Sequence, residues 1–207
     1  MASARVGNAV VSTSTFVTGM LALVGRVSEP KTASAQPASR NVAASSSVPL
    51  WRQEMEVLRA ELPLEVDKTL RRHEAAGTTD SREYFQAMLV FYERHVCRLD
   101  PWPRDHFASF MEIVNNPVVY HAMNGPSEFY VTGTLKDWSV VDRLADIAVP
   151  TLVVSGRHDE ATPVTVQPYY DLIPDVRWEI FAESSHMPHM EETEQFNAAL
   201  TGFLKSL

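Results

Sequence analysis

The sequence of 207 residues is long enough for one domain, or for one domain and a tail, and 45% of its residues are hydrophobic. The net charge of −8 and the lack of a basic run argue against a nucleic-acid-binding protein. The single cysteine, Cys97, excludes a disulfide framework and a thiolate metal site. This cysteine usage fits a reducing compartment, and we expect a cytoplasmic protein.

The first 48 residues show little hydrophobic periodicity, and we expect this divergent segment to be poorly ordered. Its part from 32 to 47 is rich in Ala and Ser, a low-complexity composition that is typical of a linker. Serines and threonines interrupt an apolar run over 9–25, which disfavours a signal peptide. The same run is too short and too polar to span a bilayer, so no membrane association is expected.

Hydrophobic residues recur at helical spacing between residues 49 and 124, which predicts a small unit of four or five helices. Prolines and glycines separate these helices, and Gly77 stands where a glycine commonly ends a helix. Either Asp80 or Ser81 can cap the third helix. The predicted ranges are 51–62, 64–76, a third helix that runs from its cap to residue 96, 104–114 and 117–123.

After Gly125 the pattern changes to strands that alternate with helices. The run 151–155 has no polar alternation, as expected of a strand that is covered on both faces. A helix over 163–172, a second strand over 176–181 and an amphipathic helix over 190–207 follow it. A strand, a helix and a strand in this order predict a right-handed parallel βαβ unit, which places the protein in the α/β class.

Asp159 and His186 each follow one of the predicted strands by a few residues. Functional groups in open α/β sheets gather at the carboxyl ends of strands, so these two side chains can meet there. An aspartate that orients a histidine supplies the acid and the base of a hydrolase triad. Taken singly, Asp159 could instead cap the next helix and His186 could be an ordinary loop residue. Their matching positions favour the catalytic interpretation.

The sequence contains no spacing typical of a metal site, such as His-Glu-x-x-His, so neither a metal nor another cofactor is expected. His189 is interpreted as a loop residue. Glu191, Glu192 and Glu194 open the last helix, where the helix dipole favours negative charge. The histidines of the predicted helices are interpreted as amphipathic edge positions: His73, His95, His106 and His121.

Four short motifs together carry a likeness to a known family. They are His-Val-Cys-Arg at 95–98, Gly-Pro-Ser-Glu-Phe at 125–129, Gly-Thr-Leu-Lys-Asp-Trp at 133–138 and Asp-Glu-Ala-Thr-Pro at 159–163. With the loop that carries His186, they resemble the C-terminal part of the prolyl aminopeptidases (proline iminopeptidases), which are serine hydrolases of the α/β-hydrolase fold.

The resemblance extends from about residue 49 to the end of the chain. It implies a partial α/β-hydrolase fold, in which residues 49–124 form a helical cap and residues 125–207 contain the last parallel strands of the sheet. It also implies that Asp159 and His186 are the triad acid and base, with the serine supplied by another part of the fold.

The resemblance further implies how a substrate is bound. Glu128 and Glu160 match acidic residues that hold the free α-amino group of the substrate, and Tyr120 lines their pocket. Carboxylates select an ammonium group through charge-assisted hydrogen bonds, which fits this role. The implied substrates are short peptides with a free N-terminus, from which proline or another small residue is released without a cofactor.

The family also needs a nucleophile elbow, Gly-x-Ser-x-Gly, and an oxyanion loop, His-Gly-Gly-Pro-Gly, and neither pattern occurs in this sequence. The elbow normally continues into Gly-Met-Leu-Ala-Leu, found here at 19–23, and Phe16 stands where the serine is expected. One hypothesis is a prolyl aminopeptidase-like enzyme in a truncated or misread chain. A second is a non-catalytic remnant that binds peptides or a partner. A third is an esterase or an epoxide hydrolase, which needs no ammonium pocket.

Overall fold

The computed structural model describes residues 40–207, together with the backbone of three short strands nearer the N-terminus. These strands are β1 (Ser3–Val6), β2 (Ala9–Ser12) and β3 (Met20–Leu21). β1 and β2 pair antiparallel with each other, and β3 pairs antiparallel with β4 (Arg40–Ala44). The prediction that residues 1–48 are poorly ordered falls mostly outside the described residues.

The linker predicted over 32–47 is wrong in its last part, where the chain forms β4 and then a buried loop over 45–47. β4 pairs parallel with β5 (Thr151–Gly156), so that Asn41 lies opposite Leu152. The Ala and Ser content of this segment hides the strand, because pairing with an apolar neighbour outweighs a weak local propensity.

Five α-helices follow β4, and the predicted ranges agree with them to within a few residues. They are α1 (Val48–Ala60), α2 (Leu64–Ala76), α3 (Arg82–His95), α4 (Arg104–Asn115) and α5 (Val118–Met123). The hydroxyl of Ser81 accepts a hydrogen bond from the backbone N–H of Tyr84 at 3.1 Å, so Ser81 rather than Asp80 caps α3. Gly77 ends α2 at φ 67°, the left-handed conformation that favours glycine.

A 3₁₀ helix (Val141–Asp146) leads into the βαβ unit, which consists of β5, α6 (Pro163–Leu172) and β6 (Val176–Phe181). The single last helix predicted over 190–207 is wrong, because the chain forms α7 (Pro188–Glu191) and α8 (Thr193–Lys205). The break falls at Glu192, whose φ of −130° and ψ of 55° are not helical.

β4, β5 and β6 are parallel, and β5 lies between the other two. Among the described strands, β6 forms one edge of this sheet and β3 the other. All six residues of β5 are buried, as predicted for a strand covered on both faces. Val153 packs in the cluster formed with α1 to α3, whereas Leu152 and Val154 pack with Phe203 of α8 on the opposite face. Among the described residues, no helix is long and apolar enough to cross a membrane.

Candidate active site

The acid and the base predicted from the sequence lie in hydrogen-bond contact. Asp159 follows β5 and His186 follows β6, and because the two strands are parallel neighbours, both loops lie at the same edge of the sheet. Nδ1 of His186 lies 2.8 Å from Oδ1 of Asp159. The predicted contact is therefore confirmed, while the catalytic role of the two residues stays a prediction.

Backbone donors hold the carboxylate of Asp159 within its own loop. Its Oδ1 accepts a hydrogen bond from the N–H of Ala161 at 2.7 Å, and its Oδ2 accepts one from the N–H of Gly156 at 3.5 Å. The alternative that Asp159 caps α6 is wrong, because the hydroxyl of Thr162 accepts from Thr165 and fills that position. Asp159 is thus fixed to face His186 rather than the helix.

His186 is nearly enclosed, with 9% of its side chain exposed. Burial disfavours the imidazolium ion, but the charge of Asp159 and the hydrogen bond to it outweigh burial and raise the pKa of His186 above its usual value. Because Nδ1 donates to Asp159, Nε2 is the nitrogen left to exchange a proton with another group. Nε2 makes no hydrogen bond to a residue within the described ranges.

Glu160 is a fully enclosed carboxylic acid. Its side chain is fully buried, and neither Oε1 nor Oε2 has a hydrogen-bond partner among the described residues. Burial, together with the charges of Glu128 and Asp159, raises the pKa of Glu160 well above its ordinary value. A cation that reaches Glu160 would stabilise the ionised carboxylate and so offset the cost of burying its charge.

Glu128 is the second enclosed carboxyl group near the acid and the base, and it is 1% exposed. The Tyr120 hydroxyl donates to Oε1 of Glu128 at 2.7 Å, and the indole N–H of Trp51 donates to the Glu128 carbonyl at 2.8 Å. The backbone N–H of Glu128 donates to the hydroxyl of Tyr92 at 3.3 Å. Burial and the charge of Glu128 raise the pKa of Tyr120, which keeps this phenol a neutral donor. The structure thus brings together Glu128, Glu160 and Tyr120, as the resemblance implies.

Glycines shape the loop that carries Glu128. Gly125 has a φ of 132°, which L side chains rarely adopt, and a Cβ there would lie 2.9 Å from the N atom of Thr132. A Cβ on Gly133 would meet the backbone of Met123. The Gly-Pro-Ser-Glu-Phe and Gly-Thr-Leu-Lys-Asp-Trp motifs therefore belong to one compact loop, in which the backbone near each glycine packs against another part of the loop or against the end of α5.

Two of the helix histidines interpreted as amphipathic edge positions, His95 and His106, are buried, so that interpretation is wrong for them. His106 of α4 is 5% exposed, and its Nε2 has no hydrogen-bond partner in the described part of the chain. Burial and the nearby His186 and His189 lower the pKa of His106 to about 4. An amphipathic period cannot reveal this site, because the period indicates a buried face but not what that face meets. Within residues 40–207, no group of three or more His, Cys, Asp or Glu side chains is arranged to hold a metal ion.

Comparison with known proteins gives the same fold. A family model described as the alpha/beta hydrolase fold matches residues 33–193. A proline iminopeptidase from Heyndrickxia coagulans is 40% identical over 161 residues, which are 78% of this chain and 56% of that relative. One from Saccharolobus solfataricus is 37% identical over 159 residues, or 77% of this chain and 51% of that relative. The chain spans about half the length of the curated relatives it matches.

Two solved structures are similar to this chain in both fold and sequence. VinJ has a TM-score of 0.80 and 59% identity, covering 82% of this chain and 57% of VinJ. The proline iminopeptidase of Mycobacterium smegmatis has a TM-score of 0.73 and 49% identity, covering 81% of this chain and 56% of that structure. A thermophilic esterase with a TM-score of 0.50 and 18% identity supports the fold alone.

Proposed function

Because the chain belongs to the α/β-hydrolase family and, within it, to the proline iminopeptidases, we propose that it carries the acid, the base and the amino-group pocket of a serine aminopeptidase. The substrates are short peptides with a free N-terminus, and the product is free proline or another small amino acid. Residues 49–124 form the cap over this site, which contributes Tyr92 and Tyr120 around Glu128.

The observation that carries the proposal is the pair of enclosed carboxyl groups beside the acid–base pair. Glu160 is buried, has no hydrogen-bond partner among the residues that the structure describes, and adjoins Asp159 in the sequence. The charge of Glu128 also acts on it. An ester or an epoxide has no positive charge to offer these groups, whereas the ammonium of a peptide N-terminus has three N–H donors and a full charge. A free N-terminus therefore fits this site better than the substrates of the other hydrolase classes.

The chemistry that fits the pair is acyl transfer. Nε2 of His186 takes the proton from a serine hydroxyl as that oxygen attacks the carbonyl carbon of the first residue of the peptide. The imidazolium then gives the proton to the departing amine, which leaves an ester between the serine and the released residue. Water, deprotonated by His186, hydrolyses the ester. Asp159 holds the imidazole in the Nδ1–H form throughout.

A second candidate function keeps the pocket without the chemistry. No Gly-x-Ser-x-Gly occurs in the 207 residues, and Phe16 stands where the resemblance implies a serine. The carboxyl pair at Glu128 and Glu160 needs no nucleophile to bind an ammonium group. In this case the chain binds the free N-termini of peptides and does not turn them over.

Two ligands that differ only at the amino group test the pocket. Prolinamide should bind to the folded chain, and N-acetylprolinamide, which lacks the cationic amine, should not bind in isothermal titration calorimetry. Changing Glu160→Gln should weaken prolinamide binding by roughly tenfold or more, the expected loss for one charge-assisted hydrogen bond. The exposed Glu194→Gln is the matched control and should bind as the unsubstituted chain does. Equal binding of both ligands would refute the ammonium pocket.

Turnover separates the two candidate functions. Release of the chromophore from proline p-nitroanilide, abolished in His186→Ala, supports the aminopeptidase. Binding of prolinamide without any turnover by the folded chain supports the binding protein instead. Turnover that persists in His186→Ala would show that His186 is not the base.

A further inference from the structure

The segment 95–98 at the end of α3 contacts the loop that carries the acid. Nδ1 of His95 lies 3.0 Å from the carbonyl oxygen of His158, and the N–H of Glu160 donates to the carbonyl oxygen of His95 at 3.1 Å. Burial lowers the pKa of His95, so its ring is neutral and its Nδ1–H donates to that carbonyl. His158 and Glu160 are the two neighbours of Asp159 in the sequence. His95 therefore holds the chain on both sides of the acid.

Glu191 of α7 does the same for the loop that carries the base. Its Oε2 accepts hydrogen bonds from the N–H groups of Ser185 at 2.8 Å and of Met187 at 3.1 Å. Its Oε1 accepts from the hydroxyl of Ser185 at 2.6 Å. Ser185 and Met187 are the two neighbours of His186, so this carboxylate holds the chain on both sides of the base.

One further hydrogen bond joins the two arrangements. Oε1 of Glu191 also accepts from the N–H of Arg98 at 2.7 Å, three residues after His95. The segment 95–98 is therefore bonded to the acid loop through His95 and to the base loop through Glu191. These contacts are local to the two catalytic loops, whereas the neighbouring Glu192 bonds to Glu183 and Ser184, farther from His186.

We propose that His95 and Glu191 are positioning residues, which join the end of α3 to both loops and so fix the contact between Asp159 and His186. The proposal rests on the proposed function only in taking Asp159 and His186 as the reacting pair. It gives a role to the motif at 95–98, which contacts neither Glu128 nor Tyr120 through a hydrogen bond in the described chain. A favourable charge at a helix start, as the sequence suggested for Glu191, would not require any of these four bonds.

A carboxylate is the side chain that this position requires. Four donors converge on Glu191, and a carboxylate offers about four lone-pair sites on two oxygens. A glutamine of the same shape has one acceptor oxygen, and its NH₂ group would face donors instead. Glu191→Gln should therefore weaken the contact between the segment 95–98 and the loop that carries His186, without leaving a cavity.

The pKa and the tautomer of His186 report directly on whether Glu191 holds the loop of the base. The charges of Asp159, Glu128 and Glu191 raise the pKa of His186. Two other histidines lie near it, His106 and His189, and burial and the charge of His186 lower their pKa values. Loss of Glu191 removes one of these charges and also frees the imidazole to leave Asp159. Both effects act in the same direction and lower the pKa of His186.

The experiment is nitrogen NMR of the full chain with labelled histidine, in which the His186 signals are identified by their absence from His186→Ala. In Glu191→Gln, we expect a lower pKa for His186 and partial loss of the Nδ1–H form. The backbone N–H groups of Arg98, Ser185 and Met187 should exchange with deuterium roughly tenfold faster or more, the expected loss for a hydrogen bond to a charge. Glu194→Gln, with the same charge change in the first turn of α8, should alter none of these readouts.

A second variant addresses the acid side and any failure of the first to fold. His95→Gln removes the ring that donates to His158, and we expect the Nδ1–H form of His186 to be reduced there as well. Unchanged His186 tautomer and pKa in the folded variants would overturn the proposal, as would rapid exchange of the Arg98, Ser185 and Met187 amides in the unsubstituted chain. None of these readouts needs turnover, so they stand apart from the test of the peptidase activity.

Discussion

Gly156 ends β5 at the point where the loop of the base crosses it. A Cβ at this position would meet the carbonyl oxygens of Ser184 and Ser185, and both are backbone atoms that cannot turn aside. The N–H of Gly156 also donates to Asp159 at 3.5 Å. This glycine therefore allows the loops of the acid and the base to approach each other, and its role is steric rather than a matter of backbone flexibility.

Two glycine substitutions should change stability in opposite directions. Gly156→Ala should lower the free energy of unfolding by about 1–3 kcal/mol, because the loop over 184–185 must move to admit the methyl group. Gly202→Ala should raise it by about 0.5–1 kcal/mol, because Gly202 lies exposed within α8 with nothing near its Cβ. Urea unfolding measures both. Equal effects of the two substitutions would contradict the close approach at Gly156.

Among individual residues, the sequence predicted those site residues that follow a simple rule. Asp159 and His186 could be found because polar residues after buried strands meet at one sheet edge. Glu128, Glu160 and Tyr120 were identified only through the resemblance. Their importance depends on burial and on tertiary contacts, such as the hydrogen bond from Tyr120 to Glu128, and neither property has a local signature. From the sequence, Glu191 is explained by its charge alone, but one of its four donors, the N–H of Arg98, lies 93 residues away, and no local pattern indicates that contact.

Helices α1, α2 and α3 are joined by an enclosed guanidinium. Arg59 of α1 is 1% exposed and donates to Asp67 at 2.8 Å and to Glu74 at 2.9 Å, both on α2. Tyr84 of α3 donates to the same Glu74 at 3.4 Å. The Arg59 guanidinium also lies 5.2 Å from the ring centre of Phe129, which follows Glu128. The helical region is thus connected to the acidic pocket by charge as well as by packing.

Removing this guanidinium should destabilise the chain far more than removing an exposed one. Arg59→Met leaves Glu74 enclosed without its cation and should lower the free energy of unfolding by about 3 kcal/mol. Arg72→Met is the matched control, because Arg72 is exposed on α2 and pairs with an exposed Glu83, so its loss should have little effect. Chemical denaturation of both variants gives the comparison. A small effect of Arg59→Met would mean that its ion pairs contribute little.

The elements themselves were largely predictable, since helical periodicity and end signals such as Gly77 and Ser81 are local. β4 was not predicted, because its pairing partner, β5, lies more than a hundred residues further along the chain. The break between α7 and α8 was missed for a similar reason. Glu191 and Glu192 turn back to bond the loop over 183–187, and that tertiary contact outweighs their preference for a continuous helix.

For the whole molecule, the buried acid that fits the proposed function lowers stability at neutral pH. The folded state raises the pKa of Glu160 above its ordinary value near 4.5, so the folded chain keeps a proton that the unfolded chain releases. Glu160 therefore contributes stability that is present below pH 4.5 and is lost as the pH rises towards its raised pKa. The loss amounts to at most about 1.4 kcal/mol for each pH unit within this window.

A neutral replacement should remove this pH dependence. Glu160→Gln should be more stable than the unsubstituted chain at neutral pH, and the difference in free energy of unfolding should shrink as the pH falls towards 4.5. His186 and the exposed acids titrate in both chains, so their contributions cancel when the two free energies of unfolding are subtracted. Urea unfolding at a series of pH values measures it. A difference that does not change with pH would show that Glu160 titrates normally in the folded state.

The hydrogen bond between Asp159 and His186 spans only 27 residues of chain. The entropy of closing such a loop is modest and grows slowly with length, so the βαβ unit can form this contact early in folding. Acid and base lie close together in the chain, whereas the segment 95–98 that bonds to both loops lies well before them. A recombination event between residues 98 and 151 would keep the pair together but would separate it from the segment 95–98, so the incoming segment would have to supply the same contacts with both loops.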